Sequence, residues 1–334
     1  MHALVTGGAG FIGSHLVREL LKRDYSVTVV DNLITGSMRN IEDLLSVSGF
    51  DFVEADICQR EVLAPLMKKS DYCYHLAAAV GVKRIVDEPL ASLEALVHGT
   101  SSVLEAANTY RVPIFLASTS EVYGKHSAHS LAEECASVIG PVMKWRWLYA
   151  CSKMLDEFWA LAYHHERDMQ VVVSRLFNVS GPRQTGRWGM VVPTFVQQAL
   201  DNKPITVYGD GEQKRCFLHV SDCVEAIMRL TTNPEAVGHI VNIGNANELS
   251  INQLAQRVIE LVPGTTSEIT HISYEDAYGQ GFEDMLQRRP DASLLTQLTG
   301  FQPQMTVDQI ITDVMDYIKG GSAAAASGDA RRAG

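Results

Sequence analysis

Ala3 to Asp31 constrains this chain more than any other stretch. An apolar run, Ala3-Leu4-Val5-Thr6, breaks into Gly7-Gly8-Ala9-Gly10-Phe11-Ile12-Gly13. Leu16, Val17, Leu20 and Leu21 then recur at helical spacing, and Val27-Thr28-Val29-Val30-Asp31 closes the stretch. Such a pattern reads as a buried strand, a tight turn, an amphipathic helix and a second strand. The glycines therefore lie between a strand and a helix N-terminus, the context that gives the motif a mechanism. Gly7 and Gly10 accept backbone angles closed to other residues and let a phosphate approach the main chain. Gly13 leaves room for the helix to pack on the strand. The first turn of that helix, from Phe11 and Ile12, offers free N–H groups and a positive dipole end to a pyrophosphate. Asp31, at the end of the second strand, suits a ribose hydroxyl pair, and its charge repels a 2′-phosphate, so the expected cofactor is NAD rather than NADP. A glycine turn in an unrelated α/β protein competes with this reading; the strand, helix and acid in register weigh against it.

Strand and helix patterns continue to alternate. Phe50 to Ala55 reads as a third strand ending at Asp56-Ile57, and Asp71 to Leu76 as a fourth opening into Ala77-Ala78-Ala79. A helix is expected from about Pro89 to Tyr110, and a fifth strand at Pro113 to Ala117. Repeated strand–helix–strand units predict an α/β fold with a doubly wound parallel sheet. Ligands of such sheets sit at the carboxyl ends of the strands. The glycine loop, Leu76 to Ala79 and Ser118 to Glu121 should therefore meet at one rim.

The rest of the chain limits the choices. At 334 residues and 46% hydrophobic, it can form one large or two modest domains. A net charge of −11 argues against nucleic-acid or acidic-membrane partners. No apolar run approaches a membrane span, and Met1 leads directly into the first strand, so no signal peptide is expected. Cysteines 58, 73, 135, 151, 216 and 223 form no CxxC pair and no metal spacing. Free thiols in a reducing cytoplasm, and no metal, are the expectation.

Two polar segments follow the fifth strand. Ser118-Thr119-Ser120-Glu121-Val122-Tyr123-Gly124 stands where catalytic groups tend to be placed, although Ser and Thr serve equally well as caps there. Tyr149-Ala150-Cys151-Ser152-Lys153 lies on a mostly buried helical pattern, and residues four apart share a face. A lysine ammonium beside a phenol favours the phenolate, which makes Tyr149 a usable base or acid. Alone, Tyr-x-x-x-Lys is weak; after the glycine loop, Asp31 and Thr119 it is strong.

With these motifs, the chain from Met1 to Ile318 resembles the extended short-chain dehydrogenase/reductases that modify nucleotide sugars. The resemblance assigns Thr119, Tyr149 and Lys153 to catalysis and Gly7, Gly10, Phe11, Ile12, Gly13, Asp31 and Asn32 to NAD. Asp56, Ile57, Leu76, Ala77 and Ala78 would also line the cofactor, with Tyr149 and Lys153 touching it. Leu96 departs from the family, whose members usually carry asparagine there. Residues 1–176 are expected to form the NAD-binding Rossmann sheet and the Tyr/Lys helix. Residues 177–319 would form mainly a smaller mixed α/β part that binds the nucleotide sugar, with some segments returning to the sheet. Residues 320–334, small and Ala/Gly-rich, are expected to be disordered.

In that second part the resemblance assigns Asn178, Arg187, Val192 (through its backbone), Tyr208 and Arg215 to the substrate, together with Ser120. An arginine fork suits a diphosphate, which favours that role for Arg215; for Arg187 ordinary solvated charge is an equal reading. Thr119-Ser120-Glu121, Arg146-Trp147-Leu148-Tyr149 and Arg288-Arg289-Pro290 together resemble UDP-glucuronate decarboxylases (UDP-xylose synthases). Glu121 and Arg288 would then handle the substrate carboxylate. The reading is NAD-dependent oxidation of UDP-glucuronate at C4, decarboxylation, and re-reduction to UDP-xylose. The alternatives are a UDP-sugar 4-epimerase and a non-catalytic NAD-binding regulator. The resemblance also implies a homodimer built on the helices near 89–110 and 148–167.

Overall fold

The computed structural model describes residues 1–78, 88–186, 190–278 and 287–330. Its first half alternates as the sequence predicts: β1 (His2–Thr6), α1 (Phe11–Lys22), β2 (Ser26–Asp31), β3 (Phe50–Glu54), α2 (Arg60–Lys68) and β4 (Tyr72–His75). Then come α3 (Pro89–Tyr110), β5 (Ile114–Thr119), α4 (Trp147–Arg167) and β6 (Val171–Leu176). The second half holds β7 (Val179–Ser180), α5 (Val191–Leu200), β8 (Ile205–Tyr208), β9 (Lys214–Cys216), β10 (Leu218–His219), α6 (Val220–Thr231) and β11 (Ile240–Ile243). It closes with β12 (Glu248–Ser250), α7 (Ile251–Leu261), β13 (Ile269–Ile272), α8 (Tyr274–Tyr278), β14 (Gln287–Arg288), α9 (Ser293–Thr299) and α10 (Val307–Ala330).

Seven strands form one parallel sheet in the order β11-β6-β5-β4-β1-β2-β3. Its central strands are nearly continuous apolar runs because helices cover both faces. Leu16, Val17 and Leu20 of α1 join α6 and α9 over one face. Leu63 and Met67 of α2, Val103 and Leu104 of α3 and Ala160 of α4 cover the other. β1 lies between β4 and β2, so the chain winds away in opposite directions from β1 and β4. That reversal opens a crevice at their carboxyl ends.

The smaller C-terminal part has its own core, from Val192, Phe195 and Val196 of α5, Leu254 and Val258 of α7, and Ile310 and Val314 of α10. Around it lie short sheets, β12-β9-β14 and β13-β8. Ser250 caps α7 with a reciprocal Gln253 bond. β11 and α6 return to the large sheet, so the second half contributes an edge strand and a covering helix to the first.

Two sequence expectations change. β5 runs on to Thr119 because Ser118 and Thr119 still pair with Arg175 and Leu176 of β6. The expected disordered tail from Gly320 is helical as far as Ala330. Four consecutive alanines, residues 323–326, have the highest intrinsic helix propensity and extend a helix already nucleated. Residues 331–334 lie outside the described residues.

Asn242 ties the returning strand to the active rim. Its Oδ1 accepts from the Tyr123 hydroxyl at 2.8 Å, and its Nδ2 donates to the carbonyls of Leu131 at 2.8 Å and Asp291 at 3.0 Å. Asn242→Ala strips partners from all three, at about 1–3 kcal/mol for each group left buried and unpaired. Calorimetry should show a clearly lower unfolding midpoint; a wild-type midpoint would refute the role.

Candidate active site

The β1–α1 turn is shaped to receive an anion. Gly7 has φ +73°, and a Cβ there would stand 2.7 Å from the Ala77 amide nitrogen after β4. A Cβ on Gly13 would collide with the Gly7 carbonyl oxygen. The loop thus closes tightly on both neighbouring segments. Gly10 caps α1 without a side-chain hydrogen bond, and no acidic residue stands in the first turn. The terminus that begins with Phe11 and Ile12 therefore has no side chain of its own to satisfy it, and a pyrophosphate fits that donor set.

Asp31 ends β2 beside this loop. One oxygen accepts the Ala9 N–H at 3.0 Å and the other the Leu33 N–H at 2.9 Å. Burial pushes its carboxyl up, against the pull of those donors. Sequence reasoning saw a ribose ligand in Asp31; its second task, bracing the glycine loop through Ala9, was hidden because backbone donors leave no mark in sequence. On the next strand ends, Asn32 donates to Asp56 at 2.9 Å, and Asp56 also accepts the Cys58 N–H at 2.8 Å. Burial raises the Asp56 carboxyl, but these donors outweigh it and hold it below the usual range. Ile57 packs toward Gly99 of α3, and Leu76, Ala77 and Ala78 are half-buried beyond β4.

The chemical end lies across β5 and α4. Thr119 Oγ1 accepts the Glu121 N–H at 3.2 Å, so the cap that sequence allowed here is made. The Ser118 hydroxyl donates to Glu157 at 2.5 Å, and Arg175 of β6 forks onto both Glu157 oxygens at 2.9 and 2.8 Å. Arg175 also stacks on the Tyr123 ring, 4.7 Å from its centroid. This buried group locks α4 to β5 and β6, fixing Thr119 relative to Tyr149.

Tyr149 and Lys153 share the face of α4 that the spacing predicts, but their electrostatics differ from the expectation. Lys153 Nζ donates to Asp156 Oδ2 at 2.7 Å, with both side chains buried. Its charge is already matched one turn on. The Tyr149 phenol is pushed well above its ordinary range by burial and by the negative charges of Glu121 and Asp156. An acid three residues past the lysine was visible in sequence; spacing alone does not decide between i−4 and i+3 partners.

Glu121 and Arg288, 167 positions apart, meet at 2.6 Å. Arg288 also donates to the buried Ser120 hydroxyl at 3.4 Å, and Arg146 Nη2 lies 3.7 Å from the other Glu121 oxygen. Arg146 covers Trp147, 5.3 Å from the ring centroid; Trp147 is buried, whereas Trp145 is half-exposed. β14 pairs in parallel with β9, and its register sets Arg288 opposite Arg215. Arg215 is buried and donates to the Lys214 carbonyl at 2.8 Å.

The other residues expected at the substrate sit nearby in the smaller part. Asn178, at φ +38°, spends its amide nitrogen on the Cys216 carbonyl at 2.9 Å. Tyr208 ends β8 half-buried, and its carbonyl accepts from Gln213. Val192 buries its side chain in the second core, leaving only backbone for a ligand. Arg187 lies outside the described residues.

Comparison with known proteins accords with this geometry. The family described as "NAD dependent epimerase/dehydratase family" matches residues 3–244. A UDP-N-acetyl-alpha-D-glucosaminuronate decarboxylase of Bacillus cytotoxicus is 36% identical, over 95% of this chain and 97% of the relative. UDP-glucuronic acid decarboxylase 1 of Xenopus tropicalis is 35% identical, over 95% of this chain and 72% of its own. The structure of UDP-glucuronic acid 4-epimerase from Bacillus cereus, in complex with UDP-glucuronic acid and NAD, superposes with a TM-score of 0.86 at 28% identity, covering 96% of this chain and 99% of that one.

The position of Asp31 beside the loop makes a prediction about cofactor choice. With the Asp31 carboxylate in place, titration should show NAD bound more tightly than NADP, because a 2′-phosphate meets a like charge. Equal affinities would refute the assignment.

Proposed function

Because the chain belongs to the NAD-dependent epimerase/dehydratase family, we propose that it decarboxylates a UDP-linked sugar acid, UDP-glucuronate, by way of C4 oxidation. The observation that carries this reading is the Glu121–Arg288 ion pair at 2.6 Å, close enough to Tyr149 for Glu121 to act on the phenol. A 4-epimerase changes C4 alone and needs no such pair. A decarboxylase must hold and release a carboxylate beside the reacting carbons.

Tyr149 takes the proton of the C4 hydroxyl, and the Thr119 hydroxyl holds the same oxygen. NAD, when bound, supplies the acceptor for the C4 hydride and returns it at the end. The C4 ketone lies β to the carboxylate, so the C5–carboxyl bond breaks with its electron pair flowing into the ketone as CO₂ leaves. Tyr149 and Thr119 stabilise the enolate oxygen. Arg288 pairs with the substrate carboxylate by sharing its fork with Glu121, and Arg146 is the second cation at that spot. Glu121 manages reprotonation at C5, which leaves a 4-keto-pentose that is reduced to UDP-xylose. On the nucleotide side, Arg215 meets the diphosphate, while Tyr208, Asn178 and the backbone at Val192 line the base and sugar.

The similarity to a decarboxylase of the N-acetylated sugar acid bears on the group at C2, which these residues leave open, so both sugar acids belong in the test. The second reading is a UDP-sugar 4-epimerase, which uses the same Tyr149 and Lys153. A non-catalytic NAD-binding regulator is the third, and the whole Thr119, Tyr149, Lys153 set argues against it.

We also propose a homodimer. Leu90 on α3 and Phe158 on α4 are 68% and 72% exposed, and these two helices pack together. A second copy across that face is the occupant the resemblance implies. Among the described residues no helix is long and apolar enough to cross a membrane. Six free cysteines accord with a reducing cytoplasm.

The decisive assay mixes the protein with NAD and UDP-glucuronate, and in parallel the N-acetylated acid, and reads products by mass. Loss of CO₂ is expected from one of them; UDP-galacturonate without mass loss would leave the epimerase standing. Tyr149→Phe should cost on the order of 10²–10⁴ in rate with NAD binding kept. Glu121→Gln and Arg288→Ala should each retain NAD binding yet lower CO₂ release by roughly 10²-fold or more. Wild-type turnover in either would remove that residue from the mechanism.

A further inference from the structure

We propose that Asp156 is a positioning residue for the Tyr149–Lys153 pair: its buried carboxylate holds the Lys153 ammonium against α3 and withholds that charge from the phenol. The inference rests on Tyr149 as the proton carrier of the proposed reaction.

The geometry is unusual for a helix. Asp156 and Lys153 are three residues apart, 0% and 2% exposed on their side chains, and 2.7 Å apart. A pair this deep costs desolvation that a surface pair avoids, so it needs further support. That support comes from the facing elements. Thr100 of α3 lies beside the Asp156 carboxylate, whose Oδ1 has no hydrogen-bond partner among the described residues. Thr100 meets His75 Nε2 of β4 at 3.1 Å, and His75 Nδ1 meets the Thr6 hydroxyl of β1 at 2.7 Å. Burial and the Lys153 charge lower His75 to about 3, so it stays neutral and serves only as donor and acceptor. One turn earlier on α3, Leu96 is apolar and buried. The polar line Thr6–His75–Thr100 thus runs from the end of the cofactor strand to the helix facing the Asp156–Lys153 pair.

Other charges near the phenol do not replace this effect. Glu121 opposes the phenolate, but Arg288 and Arg146 flank it. Glu157 is the other acid near Asp156, and it is consumed by Arg175. Lys153 is the cation that the helix spacing offers to Tyr149, and Asp156 holds it.

The test compares the full protein, saturated with NAD, as wild type, Asp156→Asn and Asp156→Glu. The Tyr149 phenolate is read by ultraviolet absorbance against pH, with Tyr149→Phe as the blank. Asp156→Asn should form phenolate at a lower pH than wild type, by about one pH unit or more. The rising limb of the pH–rate profile should move the same way, and Asp156→Glu should restore the wild-type position. A residue that merely supports the fold would lower stability or rate and leave both midpoints in place; that result overturns the proposal. Should Asp156→Asn fail to fold, Thr100→Val weakens the same carboxylate, and a smaller downward shift is expected; no shift overturns it. Normal turnover by Tyr149→Phe would instead defeat the parent reading, while the phenolate comparison would still decide the role of Asp156.

Discussion

A parallel sheet covered by helices on both faces leaves polar side chains one outlet, the rim at the carboxyl ends of its strands. Everything chemical in this protein follows from that constraint. Gly7 to Gly13, Asp31, Leu76 to Ala78 and Thr119 all leave the sheet at that rim. What lies deeper needs partners, and although Ser174 Oγ and Asp156 Oδ1 have none among the described residues, two central groups are fully engaged. Glu157 is forked by Arg175 and bonded by Ser118, and Asn242 satisfies Tyr123 and two carbonyls. Removing one partner of the Glu157–Arg175 pair would leave a buried charge, at a cost of about 3–5 kcal/mol. The rim is therefore held by the same groups that the interior cannot tolerate alone.

The second half of the chain completes what the first half begins. It returns β11 to the edge of the sheet and brings Arg288 to Glu121. Arg146 from the first half and Arg288 from the second both face the Glu121 carboxylate. The Glu121–Arg288 ion pair thus exists only when both parts are folded together.

Local order was legible in the sequence, because it is written in periods. The bounds of α3 follow from apolar spacing and its leading proline, and the strand–glycine–helix unit from its own pattern. Tyr149 and Lys153 share a helix face as their spacing requires. Partner choice was not legible. Lys153 could meet Tyr149 or Asp156, and burial beside Thr100 favours the acid. That the Val192 side chain fills the second core, leaving only its backbone to the ligand the resemblance implies, was likewise not readable from spacing. Glu121 and Arg288 meet through their side chains only once β14 has paired with β9, which no local period announces. The tail from Gly320 lacks an apolar stripe, but its alanines continue a helix that packing against α5 and α7 has already started.

The pairing of β14 with β9 has one more consequence. It spans only Gln287–Arg288 against Lys214–Arg215, and it sets two arginines on neighbouring strands at the same level. Directly paired residues on adjacent strands project to the same side, about 5 Å apart. The guanidinium proposed for the sugar acid and the one proposed for the diphosphate are therefore two jaws of a caliper whose gap is set by main-chain hydrogen bonds. Because side chains alternate, a slip of one residue would turn Arg288 to the opposite face and open the caliper altogether. If those two proposed roles hold, reach from sugar acid to diphosphate is a matter of strand register.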